Sequence, residues 1–446
     1  MRAYLRTDGV KMKNKHLIVV SVDALVYDDL EYAKTLPNFG KIIESGSIIK
    51  RVKTIYPSLT HPVHASIISG APAGVTGIVS NATFAPGKNA PWYNMLHEIK
   101  CDTILHAAKR AGLTTAVCQW PVTAKGQDVI DYLVPDLLNE YSEGREDEIL
   151  DVYLEYGTTD CLIDIVKEGI SRFGFRDEHP AVDNFQVFCA CEIIKRYKPN
   201  LLLTHPSLVD NARHRSGIFG SAVKEAIEET DRWLGMLLDA VRDAGIEKNT
   251  DFVILSDHGQ LDIVRVICPN VYLADAGYIK VGQGGELLSY DAYIASCGLS
   301  AQVYLKDPEN REIYDGVYKL LSDMAEEKIY GFERVFTKEE VEKAYGLSGD
   351  FSFVIESDGY SGFSEALTRP IVIPTSTDDY RTGSGTHGHM PEKGPQPTFI
   401  GAGPSFKKGV SIEEGNILNH ASTLAKILGL PFESSLGKCV NEILKS

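Results

Sequence analysis

Three short apolar runs punctuate the chain, and each gives way to acid or histidine. Leu17-Ile18-Val19-Val20-Ser21-Val22 runs into Asp23, and Leu201-Leu202-Leu203-Thr204 leads through a short loop to Asp210. Phe252-Val253-Ile254-Leu255-Ser256 runs into Asp257-His258-Gly259. Apolar and polar residues do not alternate along these runs, so both faces of each strand are expected to be buried, as in a parallel sheet between helices. Helical patterns separate the runs. Between Ser221 and Ala244, Val223, Ile227, Leu234, Leu237, Leu238 and Val241 fall on one stripe, with Gly245 placed to stop the helix. Leu96 to Ala111 and His420 to Leu428 also read as helices. Strands alternating with helices predict an α/β sandwich. In such sheets ligands collect where the strands end, so polar residues just past three strands should converge.

From Asp262 to Thr382 the pattern changes. Gly282 to Gly285 reads as a loop. Gln302 to Leu305, Phe332 to Phe336 and Phe351 to Glu356 read as strands, and Tyr314 to Glu326 and Glu339 to Tyr345 as helices. This predicts a core of residues 12–262 and 382–446 carrying a smaller inserted α+β cap, 263–381. Met12 offers an alternative start to Met1.

Composition narrows the function. The 446 residues are 43% hydrophobic and 24% charged, which is globular, and the net charge of -16 disfavours duplex nucleic acid as a partner. No apolar run approaches the ~20 residues that cross a bilayer, so no membrane partner is expected. The eight cysteines form no CxxC pair and read as free thiols of a cytoplasmic protein. Cys189 and Cys191, beside Phe185 and Phe188, read as buried packing rather than metal ligands.

Five segments carry candidate chemistry. Asp23 ends a strand. Tyr56-Pro57-Ser58-Leu59-Thr60-His61-Pro62-Val63-His64 reads as a loop entering a helix, with Pro62 in the first turn and Thr60 or His61 at the cap. The free N–H groups of a helix start suit a phosphate or a developing alkoxide; a purely structural cap is the plainer role for Thr60. Asp210 and His214 are four apart, on one helical face, which suits either a metal or a surface ion pair. Asp257-His258 needs irregular backbone, which Gly259 permits, and Gly385-Thr386-His387-Gly388-His389 reads as a tight loop. Together these could hold two divalent cations, one by Asp23, Thr60, Asp257 and His258, the other by Asp210, His214 and His387. Mixed oxygen and nitrogen donors suit zinc, manganese or iron. Cations ~3.5–4 Å apart would clamp the oxygens of a phosphoryl transfer, and metal contact would acidify the Thr60 hydroxyl.

This ordered set resembles the nucleotide pyrophosphatase/phosphodiesterases of the alkaline phosphatase superfamily. The resemblance runs through Val20-Ser21-Val22-Asp23, Tyr56 to Gly70, Gly77-Ile78-Val79-Ser80-Asn81, Asp210 to His214, Ser256 to Gly259, Gly385 to Gly388 and the closing stretch Ser422 to Leu430. It implies an alkaline phosphatase-like fold, Thr60 as nucleophile, two zinc ions on the seven residues above, and a small phosphoester substrate, nucleotides included. That family often has Asn three residues beyond the nucleophile, touching a phosphoryl oxygen, where this chain has Val63. A donor would then be missing, unless Asn81 or Arg213 binds substrate instead. His389 either supports the ligands or lies at the surface. A phosphomonoesterase or phosphonate hydrolase on the same scaffold is the second reading, and a non-catalytic binding module the third. A sulfatase is disfavoured, since Ser58 to His64 holds no cysteine.

Overall fold

The computed structural model describes residues 14–137, 148–174, 178–377 and 379–445. Met12 and the start of the expected core segment lie outside them. The strands used below are β1 (His16–Ser21), β2 (Ser47–Lys53), β3 (Thr115–Cys118), β4 (Tyr132–Val134), β5 (Leu201–Thr204), β6 (Thr250–Leu255), β7 (Ala292–Ser296), β8 (Ser300–Leu305), β9 (Phe332–Thr337), β10 (Phe353–Ser357), β11 (Phe399–Ala402) and β12 (Val410–Asn416). The helices are α1 (Thr60–Ser69), α2 (Ile104–Arg110), α3 (Ala181–Tyr197), α4 (Leu208–Ser216), α5 (Ser221–Asp243), α6 (Arg311–Glu327) and α7 (Asn419–Leu428).

The central sheet has eight strands in the order β12-β2-β11-β6-β1-β5-β3-β4. Only β11 runs antiparallel to its neighbours. The uninterrupted apolar runs have a direct cause. Leu17, Val19, Leu201, Leu203, Val253 and Leu255 pack on one face with residues of α1, α2 and α7. Ile18, Val20, Leu202, Phe252 and Ile254 pack on the other with α3 and α5. Each such side chain, fully buried, contributes ~1.5–3 kcal/mol. This is the mostly parallel sheet between helices that the pattern predicts.

The helices follow their stripes closely, with two differences. Leu96 to Ala111 is not one helix. A 3-10 turn, Leu96–Glu98, stops short, and α2 restarts at Ile104 because Thr103 caps it, its hydroxyl accepting the His106 N–H. The second lies in α3, where Cys189 and Cys191 are buried as expected, on a helix apolar on most sides instead of along one stripe.

A second, antiparallel sheet, β7-β8-β10-β9, packs α6 over its own core of Tyr293, Val303, Val317, Leu321, Phe353 and Ile355. Glu356 of β10 ties it to the segments that precede α1 and follow His389. Its carboxylate accepts the Tyr56 hydroxyl at 2.9 Å and the Met390 N–H at 3.1 Å, and pairs with Lys393 at 2.8 Å. Burial pushes Glu356 up to about 7, against the pull of Lys393. A carboxyl raised in the folded state stabilises below its unfolded range and loses that contribution as pH rises toward 7. Glu356→Gln should therefore flatten the fall in unfolding free energy between pH 5 and 7.5 by up to ~3 kcal/mol, read from urea melts. An unchanged slope would remove Glu356 from that role.

Candidate active site

β1, β5 and β6 lie side by side, with Val20 level with Thr204 and Ser21 level with Leu255. The chain therefore leaves all three strands at one edge. There the Val22 N–H donates to Leu255 O at 2.8 Å, and the Asp23 N–H to Pro206 O at 3.1 Å. Asp23, His205 and the Asp257-His258 pair are gathered by this register alone.

Thr60 arrives from outside the sheet. Leu59 is extended, at φ -116° and ψ 146°, and α1 begins at Thr60 with no side-chain cap. Neither Thr60 nor His61 is the cap, so the purely structural role fails. The Thr60 hydroxyl instead sits 3.2 Å from His258 Nε2. That nitrogen is also 3.5 Å from Asp23 Oδ1 and 3.2 Å from Asp257 Oδ2. The first expected ligand set thus converges on one point.

The second set forms beside it. On α4, His214 Nε2 lies 3.1 Å from Asp210 Oδ2. His387 Nε2 is 3.9 Å from Asp210 Oδ1, and the His387 ring stacks on His258 at 4.0 Å. The backbone sets the tautomers. His214 Nδ1 faces Gly385 O at 2.7 Å and His387 Nδ1 faces Ser58 O at 3.2 Å, which leaves Nε2 as the donor atom of each ring. Donor atoms of Asp23, Asp257 and His258 lie within 4.8 Å of one another, as do those of Asp210, His258 and His387.

The donor set fits divalent cations. Asp23 Oδ1, Asp257 Oδ2 and His214 Nε2 are buried without a hydrogen-bond partner, the condition a cation relieves. Burial, then the charges of Asp210 and Asp257, push the Asp23 carboxyl well above its usual range. Burial raises Asp210 too, but the surrounding imidazoles, His214 first, outweigh it and hold the acid well below that range. Burial and His258 drive His387 well below the usual imidazole value, which favours the neutral, ligating form.

A cavity of about 420 Å³ opens over these groups, and Thr60, Asn81, Asp210 and His387 line it. The Asn81 carboxamide is held by the His61 N–H, which donates to its oxygen at 3.0 Å. Two expectations need correction. Arg213 does not line the cavity. It is 1% exposed, ion-paired with Asp29, and its Nε–H donates to Ala24 O at 3.1 Å, so it braces the loop after β1. Val63 opens no gap in the site either. It is fully buried among α1, Leu17 and Leu255 side chains, on the helix face turned into the core.

His389 is buried, not surface, with Nδ1 2.9 Å from Met390 O. Gly388 has φ 95°, and a Cβ there would meet Cys297 O at 1.7 Å, so the glycine serves contact with the second sheet. No sequence pattern singles out His205, though it directly succeeds β5. Its Nε2 lies 3.1 Å from Asp23 Oδ2, and burial lowers it to about 4.

The profile of the type I phosphodiesterase / nucleotide pyrophosphatase family matches residues 17–389. The chain belongs to that family. Relatives in it include ectonucleotide pyrophosphatase/phosphodiesterase family member 1 of Mus musculus, 24% identical over 92% of this chain. The chain spans 40% of that protein's length. Human family member 5 is 22% identical, with 95% of this chain and 76% of the relative covered. Solved structures of ectonucleotide pyrophosphatase/phosphodiesterase 5 share the fold. The human protein gives a TM-score of 0.67 at 21% identity, covering 97% of this chain and all of the other. A murine form, an inactive threonine-to-alanine variant in complex with AMP, gives 0.65 at 19% identity with the same coverage. Among the described residues, no helix is long and apolar enough to cross a membrane.

Proposed function

We propose that this protein is a two-cation phosphodiester hydrolase of the phosphodiesterase/nucleotide pyrophosphatase type, acting through a phosphothreonine intermediate. One observation carries the reading: the Thr60 hydroxyl lies at the mouth of α1, 3.2 Å from a histidine nitrogen that is itself within 3.5 Å of two carboxylates. Asp23, Thr60, Asp257 and His258 would hold one cation, and Asp210, His214 and His387 the other. When bound, these ions supply acidification of hydroxyl and water and neutralise phosphoryl charge. The chain's own residues do the rest. In the first turn of α1, Pro62 has no N–H and those of His61 and Val63 donate to Asn81 Oδ1 and Leu59 O, which leaves the Thr60 N–H for a phosphoryl oxygen. Asn81, fixed by the His61 N–H, stands in the cavity wall as a further donor. Thr60 Oγ1 attacks phosphorus, the alcohol departs, and water then frees the threonine.

A nucleotide is the favoured substrate class. His61 and Trp92 meet edge-to-face at 4.9 Å in the cavity wall and offer a surface on which a base could stack. Protein purified without chelator should carry about two divalent ions per chain and hydrolyse bis-p-nitrophenyl phosphate and a nucleotide p-nitrophenyl ester faster than p-nitrophenyl phosphate. Preference for the monoester would favour the phosphomonoesterase reading. Metal content near zero would sink the mechanism.

A further inference from the structure

Four distant segments meet where β1 begins, at the sheet edge opposite the one that gathers Asp23 and Asp257. Lys15 precedes β1, Lys407 follows β11, Lys426 lies in the last turn of α7, and Lys445 follows the closing 3-10 turn, Asn441–Ile443. All four lysines line one cavity of about 490 Å³. Among the described residues that line it there is no carboxylate and no aromatic ring; Ser405 and Asn441 are its other polar members.

Three of the ammonium groups are held in place by main-chain carbonyls. Lys15 Nζ donates to Ile427 O at 3.1 Å, Lys407 Nζ to Glu442 O at 2.9 Å, and Lys445 Nζ to Pro404 O at 3.0 Å. An ammonium carries three donors, so each keeps two beyond its carbonyl. Asp251 is the carboxylate whose charge Lys15 and Lys445 feel, but it is 1% exposed and already accepts the Ser405 N–H at 2.8 Å and the Ser405 hydroxyl at 2.7 Å. In a chain of net charge -16, such a cluster stands out. Two other lysine-bearing cavities carry their own counter-charges. Lys100 and Lys125 share one with Asp102 and Asp128, and Lys34, Lys41 and Lys408 share another with Glu44.

We propose that the four-lysine cavity binds a short inorganic phosphate chain, a diphosphate or triphosphate. Ammonium groups act on phosphate oxygens as point charges, and side chains already held lose less freedom on binding. The lining offers no ring on which a base would stack, which sets this ligand apart from a nucleotide. The concave shape and the negative chain disfavour an extended polyanion. Because the walls come from both ends of the chain, the bound anion would tie the start of β1 to the closing segment. The site is independent of the phosphodiester reading above.

The test reads the lysines themselves in the intact wild type. Amines are acetylated with a dilute N-hydroxysuccinimide ester, and the peptides are quantified by mass spectrometry. The arms are inorganic triphosphate, α,β-methylene ATP, AMP, and sodium chloride at matched ionic strength. At roughly ten times its dissociation constant, triphosphate should slow modification of Lys15, Lys407, Lys426 and Lys445 by about tenfold, with Lys100 and Lys125 unaffected. The ATP analogue should protect less and AMP hardly at all. In Lys407→Gln/Lys445→Gln protein with a cooperative melt, the affinity read from Lys15 and Lys426 should fall by about 10²-fold, near tenfold for each charged hydrogen bond lost. Protection no greater than in chloride, or unchanged affinity in the double variant, would reduce the lysines to caps on carbonyls and overturn the site. Stronger protection by the ATP analogue or AMP than by triphosphate would overturn the inorganic chain as its ligand.

Discussion

Thr60→Ala is expected to lower phosphodiester turnover by about 10⁴–10⁶-fold, the scale on which removing a nucleophile is felt. The stability of the fold should barely change. The Thr60 hydroxyl caps no helix, and its hydrogen bond is to His258 Nε2. Thermal melting within a few degrees of wild type, metal content near wild type, and loss of the rapid burst of product in single-turnover mixing would together establish the role. Substantial steady-state activity in the variant would show that water attacks directly. Denaturing the wild type during turnover should trap phosphate on the peptide that contains Thr60. The variant should trap none.

Chelation should have the second largest effect, on activity and stability together. Asp23, Asp210 and Asp257 are brought together with little water access, and the Asp23 carboxyl is forced upward by burial and its neighbours' charge. Cations binding only the folded state at a thousand times their dissociation constant would add ~4 kcal/mol. Dialysis against a chelator should abolish turnover and lower the melting temperature. Zinc or manganese should restore both. Asp257→Asn should weaken the response of melting to zinc, since it removes one of the charges the ion balances. A melting temperature indifferent to chelator would mean that the carboxylates are not cation ligands.

Much of this arrangement is legible in the chain, for a physical reason. Parallel strands buried on both faces must be continuously apolar, so their ends are easy to find, and the residues just beyond those ends are delivered to one edge. Asp23 and Asp257-His258 are found in this way. Asp210 and His214 are read from helical spacing. The rest depends on distant partners. Arg213 reads as a substrate ligand because it sits between two ligand candidates in sequence. On α4 it faces the opposite way, toward Asp29. Val63 reads as a lost donor, but its helical position turns it into the core. The break before α2 depends on a single hydroxyl, that of Thr103, inside a stretch otherwise apolar at helical spacing.

The contact of Gly388 with Cys297 has a mechanical consequence. Leu299 N–H also donates to His387 O at 2.9 Å, and the Ser300 hydroxyl to Gly388 O at 2.6 Å. The segment carrying His387 is thus stitched to the smaller sheet through its main chain, while Glu356 grips the nucleophile's approach from the same side. A hinge at this seam would carry His387 away from His258 and Asp210. The smaller sheet and the His387 segment therefore share one continuous main-chain seam, and a displacement of either is felt directly by the other.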